Sequence, residues 1–235
     1  MIRLIACLTA VLVVAGVSAD AAMFDITSDT ADTTIGLDGD GVAHVHWNGA
    51  SSLGIGDDNA QYSKDDVAAV VMFELPDLGG EIIDTANLSC RMSWGKWALS
   101  GGIDVYGVRY ASSNSVQASD YGWGQPLTTG GGTLIQDDFI VHAGESQPMA
   151  TFETDDAADV VLATWLADAY DAGAAAGDYV FIRFNGDAQS ANSYSLVAAN
   201  HSSEMPPTLT ITTIPEPATL SILALGALAA IRRRR

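Results

Sequence analysis

Basic residues are scarce in this chain. Lysine and arginine number 10 against 29 aspartates and glutamates, a formal net charge of −19. The scarcity is sharper away from the ends. Arg3 and the four terminal arginines lie in end segments, and of the acids only Glu216 does. Residues 20–214 therefore hold 28 acids against five bases (Lys64, Arg91, Lys96, Arg109 and Arg183), a net charge of −23. Such a surface repels other polyanions, which excludes nucleic acid as a partner and weighs against anionic lipid. It suits a salty medium, or divalent cations bridging carboxylates. Cysteine is nearly absent as well. Cys7 falls in the leading apolar segment, so Cys90 stands alone in the remainder and no internal disulfide can form. Recognisable catalytic motifs are missing too. There is no Gly-x-Ser-x-Gly elbow, phosphate-binding loop or Cys-x-x-Cys. Carboxylate pairs are so abundant that they say nothing about a glycosidase pair. No repeat of fixed period is visible.

What is present is clearest at the two ends. Met1-Ile2-Arg3 is a short positive start, residues 4–17 are apolar, and Val17-Ser18-Ala19 offers small residues before a cut. This pattern predicts a secretory signal peptide over 1–19, with Ala21 as the alternative cleavage point. The other end reads Pro215-Glu216-Pro217, then an uncharged run over 218–231, then Arg232, Arg233, Arg234 and Arg235. Pro217 suits the first turn of a helix. Those fourteen residues would span about 21 Å as a helix, short of the roughly 30 Å hydrocarbon core. Arginines that snorkel to the headgroups would let such a helix cross a thinned bilayer, with the basic cluster cytoplasmic.

This three-part tail resembles a PEP-CTERM sorting signal. The resemblance implies recognition by exosortase at the membrane, cleavage near Pro215, Glu216 and Pro217, and release or attachment at the cell surface. It implies association with extracellular polysaccharide, biofilm or floc. The tail residues, including the four arginines, would be read by the sorting machinery and would take no part in catalysis.

The stretch between, residues 20–214, is long enough for one domain with its own core. Residues 23–56 are rich in Gly, Asp, Thr and Ser. Within them Ala43-His44-Val45-His46-Trp47 alternates as a strand, and Leu53-Gly54-Ile55-Gly56 is a second short piece. Val67, Ala69, Val71, Phe73 and Leu75 share one face of a third strand. Leu88, Cys90, Met92 and Trp94 alternate with Asn87, Ser89, Arg91 and Ser93, a half-buried strand that puts Cys90 in the core. Further strands are predicted over 103–110, 133–141, 150–154, 179–184, 194–199 and 208–214. In the last of these, Leu209 and Ile211 face inward and the threonines outward. Residues 179–184 are apolar on both faces and read as central. One helix is predicted after the capping pair Asp155-Asp156, with Ala157, Val160, Val161, Thr164, Trp165 and Ala169 at helical spacing. Residues 111–132 read as a loop. Many short strands with Gly-rich turns and one helix predict an all-β fold, an antiparallel β-sandwich of jelly-roll type.

The peptides Val70-Val71-Met72-Phe73-Glu74-Leu75-Pro76, Ile82-Ile83-Asp84-Thr85-Ala86-Asn87-Leu88 and Asp104-Val105-Tyr106-Gly107-Val108 are similar to DNRLRE-type domains and related carbohydrate-binding sandwiches. The helix through Trp165 and the closing Pro206-Pro207-Thr208-Leu209-Thr210-Ile211 fall in the same order. A Trp-x-Glu element usual in that family is missing here, leaving only Trp123 between glycines. The resemblance implies a surface module that binds polysaccharide or acts as a spacer, and not an enzyme.

Candidate ligand residues follow from chemistry. Trp97 and Trp123 lie where no core pattern demands them, and an exposed indole can cover the apolar face of a pyranose. Aromatics packed over one end of a sandwich are the plainer reading of both. Asp38 and Asp40, and Asp57 and Asp58, supply oxygen ligands of the kind structural calcium takes, without the spacing of an EF-hand loop. Solvated turn acids are the plainer reading here. His44 and His46 would share one strand face, and a metal there needs a third ligand such as Asp38, Asp40 or His142. Together these features predict a secreted, cell-surface, non-enzymatic matrix or adhesion protein that touches polysaccharide. The rivals are a polysaccharide-degrading lyase or glycosidase, and a ligand-free spacer.

Overall fold

In a computed structural model of the chain, residues 21–37, 42–57, 66–95, 102–121, 132–140, 150–186 and 193–216 are described. The expected signal helix and the apolar tail helix lie outside them. In chain order the strands are β1 (Met23–Thr27), β2 (Thr33–Leu37), β3 (Ala43–Asn48), β4 (Ser52–Asp57), β5 (Asp66–Glu74), β6 (Ile82–Gly95), β7 (Ile103–Ala111), β8 (Thr133–Ile140) and β9 (Thr151–Glu153). Helix α1 (Asp156–Asp171) follows, and then β10 (Tyr179–Gly186), β11 (Ser193–Val197) and β12 (Thr208–Ile214). All pairings between these strands are antiparallel.

The strands form the two layers of an all-β sandwich. The order runs β1-β12-β6-β11-β4-β5-β10-β7-β8, with β2 and β3 attached through β5 and β9 attached to β6. The 14-residue β6 joins the layers. Its first half pairs with β12 from Ile82 to Ser89, and its last residues pair with β11. The first layer is thus β1, β12, β9 and the front of β6, and the second is centred on β5 and β10.

Alternation along the central strands builds the core. Ala69, Val71 and Phe73 of β5 and Val180, Ile182 and Phe184 of β10 face the first layer. There they meet Leu88, Cys90 and Met92 of β6 and Leu209 and Ile211 of β12. Ala68, Val70 and Met72 point the other way, with Phe181, into a smaller cluster on the outer face of the second layer. Both faces of β5 and β10 are buried, which is why residues 179–184 read as apolar on both sides. Each fully buried side chain of this size contributes roughly 1.5–3 kcal/mol from removal of apolar area.

Helix α1 closes one side of the sandwich, packing on β6, β7 and β8. Its start follows the sequence closely. Asp155 has the extended N-cap conformation (φ −80°, ψ 169°) and accepts from the N–H groups of Ala157 and Ala158. Its end is a Schellman motif, with Gly173 at φ +108°, its N–H donating to Tyr170 and the Ala174 N–H donating to Ala169. The buried face differs from the expected one. Ala158, Leu162, Ala163, Leu166 and Ala169 enter the core, whereas Ala157, Val160 and Thr164 are exposed. Alanines and valines lie all round this helix, so spacing alone did not select a face. The two leucines did, because they bring the most apolar area. Trp165 is half-buried against Gly107 of β7, where a Cβ would lie inside the indole ring's van der Waals surface.

Three further differences have local causes. β1 and β2 form inside the Gly-, Asp-, Thr- and Ser-rich stretch, where no strand is predicted before Ala43, because β12 and β5 offer them ladder partners. Thr213 faces inward and is buried, in phase with Leu209 and Ile211, where an outward threonine was expected. Its hydroxyl lies between the Ala22 carbonyl and the Glu81 carboxylate, which satisfies it. Residues 112–121, part of the expected loop, are pinned to the outer face of the second layer and end in a 3-10 turn, Ala118–Tyr121.

Candidate functional site

Two of the scarce bases, Arg109 and Arg183, act together at the outer face of the second layer. Arg109 of β7 makes a bidentate pair with Asp120, Nε to Oδ1 at 2.5 Å and Nη2 to Oδ2 at 2.7 Å. Its Nη2 also donates to the Ser115 carbonyl, and its guanidinium lies 3.7 Å from the Phe181 ring centre. Arg183 of β10 is buried, with Nη1 donating to the carbonyls of Asp120 (3.0 Å) and Tyr121 (2.6 Å) and Nε donating to Asn185 Oδ1 (2.9 Å). Buried charge persists where such donors are matched. The two arginines thus clamp residues 112–121 onto the sheet.

Beside this clamp, the Tyr106 hydroxyl donates to Asp104 Oδ2 at 3.3 Å, and Asp104 Oδ1 accepts from the Asp138 N–H at 3.0 Å. Asp138 has a φ of +53° in β8, so the Asp104 carboxylate holds a strained bulge. Burial, and then the Asp104 charge, push the Tyr106 hydroxyl up from its ordinary pKa. The hydroxyl is the donor in its pair with Asp104. Burial lowers the Arg183 pKa.

A second polar centre ties the turn after β1 to the body. Asp32 is fully buried, with Oδ2 accepting from Ser28 Oγ (2.6 Å) and the Ala199 N–H (3.1 Å) and Oδ1 accepting from the Met72 N–H (3.2 Å). Desolvation raises its pKa from 3.8 to about 7 against those three donors, with a smaller push from Asp29. Asn200 Nδ2 donates to the carbonyls of Thr30 and Gly49 beside it.

The outer face of the first layer is different in character. Three rungs cross β1, β12 and β6: Thr27, Thr208 and Ser89; Asp25, Thr210 and Asn87; Met23, Thr212 and Thr85. Hydroxyl and amide groups dominate this antiparallel face. Strands about 4.7–4.9 Å apart set the spacing of side chains within each rung. Thr210 donates to Asp25 at 2.8 Å, and Asn87 reaches Thr154 and Asp159 at the start of α1.

β12 leads straight to the chain exit. Ile214 is its last residue, Pro215 follows, and Glu216 is exposed. Pro215 has no N–H for the ladder, so the strand stops there.

The residues singled out for ligands are placed unevenly. Asp38, Asp40, Asp58, Trp97, Trp123, His142, Pro217 and the four terminal arginines lie outside the described residues. So do the side chains of His46, Asp57 and Trp94. His44 is exposed on β3. Cys90 is buried in the core, as the alternation predicts, and burial pushes its thiol pKa up. Among the described residues no three His, Cys, Asp or Glu side chains are grouped to hold a metal. Nor, among them, is any helix long and apolar enough to cross a membrane. Sequence reasoning missed Asp32 and the pairing of Arg109 with Asp120. An isolated acid in a turn gives no signal of burial, and the ten residues between Arg109 and Asp120 match no regular spacing.

Residues 213–235 match the PEP-CTERM protein-sorting motif. No curated protein matches the chain. The motif marks an extracellular surface protein that exosortase recognises at the membrane.

Proposed function

We propose that this exosortase-sorted protein is a non-enzymatic component of the extracellular matrix that holds polysaccharide against the outer face of its first layer. The sorting motif supports the location. The single observation that carries the polysaccharide contact is the set of hydroxyl and amide rungs formed by Thr208, Thr210 and Thr212 with Ser89, Asn87 and Thr85. A sheet face of this kind meets an extended glycan strand over several sugars, with hydroxyl-to-hydroxyl hydrogen bonds that are each weak in water and add along the chain. The absence of catalysis belongs to the same reading. It is supported by the use of Arg183 and Arg109 as clamps.

The test is binding of the purified protein to a panel of neutral and acidic polysaccharides, with calcium and with chelator. Saturable binding that falls on Thr210→Val/Thr212→Val supports the sheet-face reading. Loss on Trp97→Ala or Trp123→Ala instead would assign the contact to the loop aromatics. Dependence on calcium would bring in Asp38, Asp40, Asp57 and Asp58. Depolymerisation of any member of the panel would overturn the non-enzymatic reading. No binding at all would leave a ligand-free spacer.

A further inference from the structure

The sorting motif begins at Thr213, inside β12, and β12 ends at Ile214. The folded sheet and the signal read by exosortase therefore overlap, and no spacer separates them. Apolar surface surrounds this exit. Ile214 pairs with Ile82 across β12 and β6, and the two are 41% and 44% exposed. Met23, opposite Thr212 on the adjoining β1, is 66% exposed.

A bulge aims Ile82 outward. Thr212 pairs with Thr85 and Thr213 with Ile83, which leaves Asp84 as the extra residue. Without it Ile82 would share the inward parity of Ala86 and Leu88. With it Ile83 packs on the core and Ile82 lies on the outer face beside Ile214. Met23 is outward for the ordinary reason that Phe24 and Ile26 take the inner face. Asp25, Asp84 and Glu216 are exposed around the three apolar residues. The patch thus fits a partner with apolar side chains and a basic rim.

We propose that this end of the first layer is a docking surface for exosortase itself, engaged while Pro215, Glu216 and Pro217 occupy the enzyme's site. Position decides the occupant. An extended chain covers at most about 3.6 Å per residue, so Ile214 lies within about 7 Å of Glu216. An enzyme closing on Glu216 meets Ile214 and its neighbours Ile82 and Met23. A lipid surface is the poorer fit, because anionic headgroups would face Asp25, Asp84 and Glu216.

The test uses the full chain co-expressed with exosortase, with tail removal followed by pulse-chase. Met23→Thr/Ile82→Thr leaves the motif intact and keeps strand-compatible side chains. Processing is expected to slow about tenfold, the size of effect that truncating a central contact produces. A wild-type rate overturns the proposal. A faster rate also overturns it, since that would mean the tail itself had covered the patch. A second variant guards against a folding defect. A four-residue Gly-Ser insertion between Ile214 and Pro215 keeps the patch, and keeps Pro215, Glu216, Pro217 and the tail after them, but parts the two by up to about 14 Å. Slower processing is expected here too. An unchanged or faster rate means that the motif alone is read, and the proposal fails.

Discussion

Asp32→Asn should be destabilising in acid and stabilising above neutrality. Three groups donate to this buried carboxyl: Ser28 Oγ, the Met72 N–H and the Ala199 N–H. An asparagine keeps one acceptor oxygen and turns its amide toward the remaining donors. Ser28 can rotate its hydroxyl to accept, but one backbone N–H is left unpaired, at about 1–3 kcal/mol. The charge works in the other direction. The folded pKa is raised from 3.8 to about 7, mainly by desolvation. Below about pH 4 the carboxyl is protonated in both states and carries no penalty. From there to about pH 7 the unfolded chain loses its proton and the folded one keeps it, so stability falls. Three pKa units correspond to a loss on the order of 4 kcal/mol, complete above pH 7. Asparagine escapes that loss. Urea unfolding of both proteins, followed by tryptophan fluorescence at pH 4 and pH 8, should therefore show a crossover. Wild type should be the more stable by 1–3 kcal/mol at pH 4, and the variant the more stable at pH 8, by about 1–3 kcal/mol. Repulsion among the other acids is common to both proteins and cancels in the difference. A stability difference that does not change with pH, or a wild type that leads at pH 8, would refute the assignment of a raised pKa to Asp32.

Gly107→Ala should destabilise by about 1–3 kcal/mol through collision with the Trp165 ring. Trp165→Leu in the same chain should recover part of that loss in a double-mutant cycle. Asp155→Ala removes the acceptor for two N–H groups of α1 and should lower stability by about 1 kcal/mol, read from the urea midpoint. Cys90 should resist a disulfide reagent at pH 8 in the native protein and react only at the rate of unfolding; fast stoichiometric reaction would contradict its burial.

Some of this molecule was legible as text because the relevant chemistry is local. Alternation at Leu88, Cys90 and Met92, the double-sided apolar run of β10, and the cap at Asp155 each depend on residues close in sequence. The face of α1 was not legible, since its alanines and valines surround it and only the core shows which side Leu162 and Leu166 fill. β1 and β2 escaped notice because weakly apolar strands form only where a neighbouring strand supplies ladder partners. Asp32 and the Arg109–Asp120 pair stayed hidden for the same reason at the level of side chains.

Sequence by itself determined the destination and the class. A sorting motif is a local run of residues, so Pro215, Glu216 and Pro217 are legible without the fold that precedes them. Period-two patterning likewise sets an antiparallel sandwich, because inward and outward residues are sorted one by one along each strand. Tertiary structure alone decided which polar groups were buried with partners, and that the motif starts inside a strand flanked by Met23, Ile82 and Ile214. Those facts depend on contacts between residues far apart in the chain, and on one bulge at Asp84 that reverses the direction of a single isoleucine.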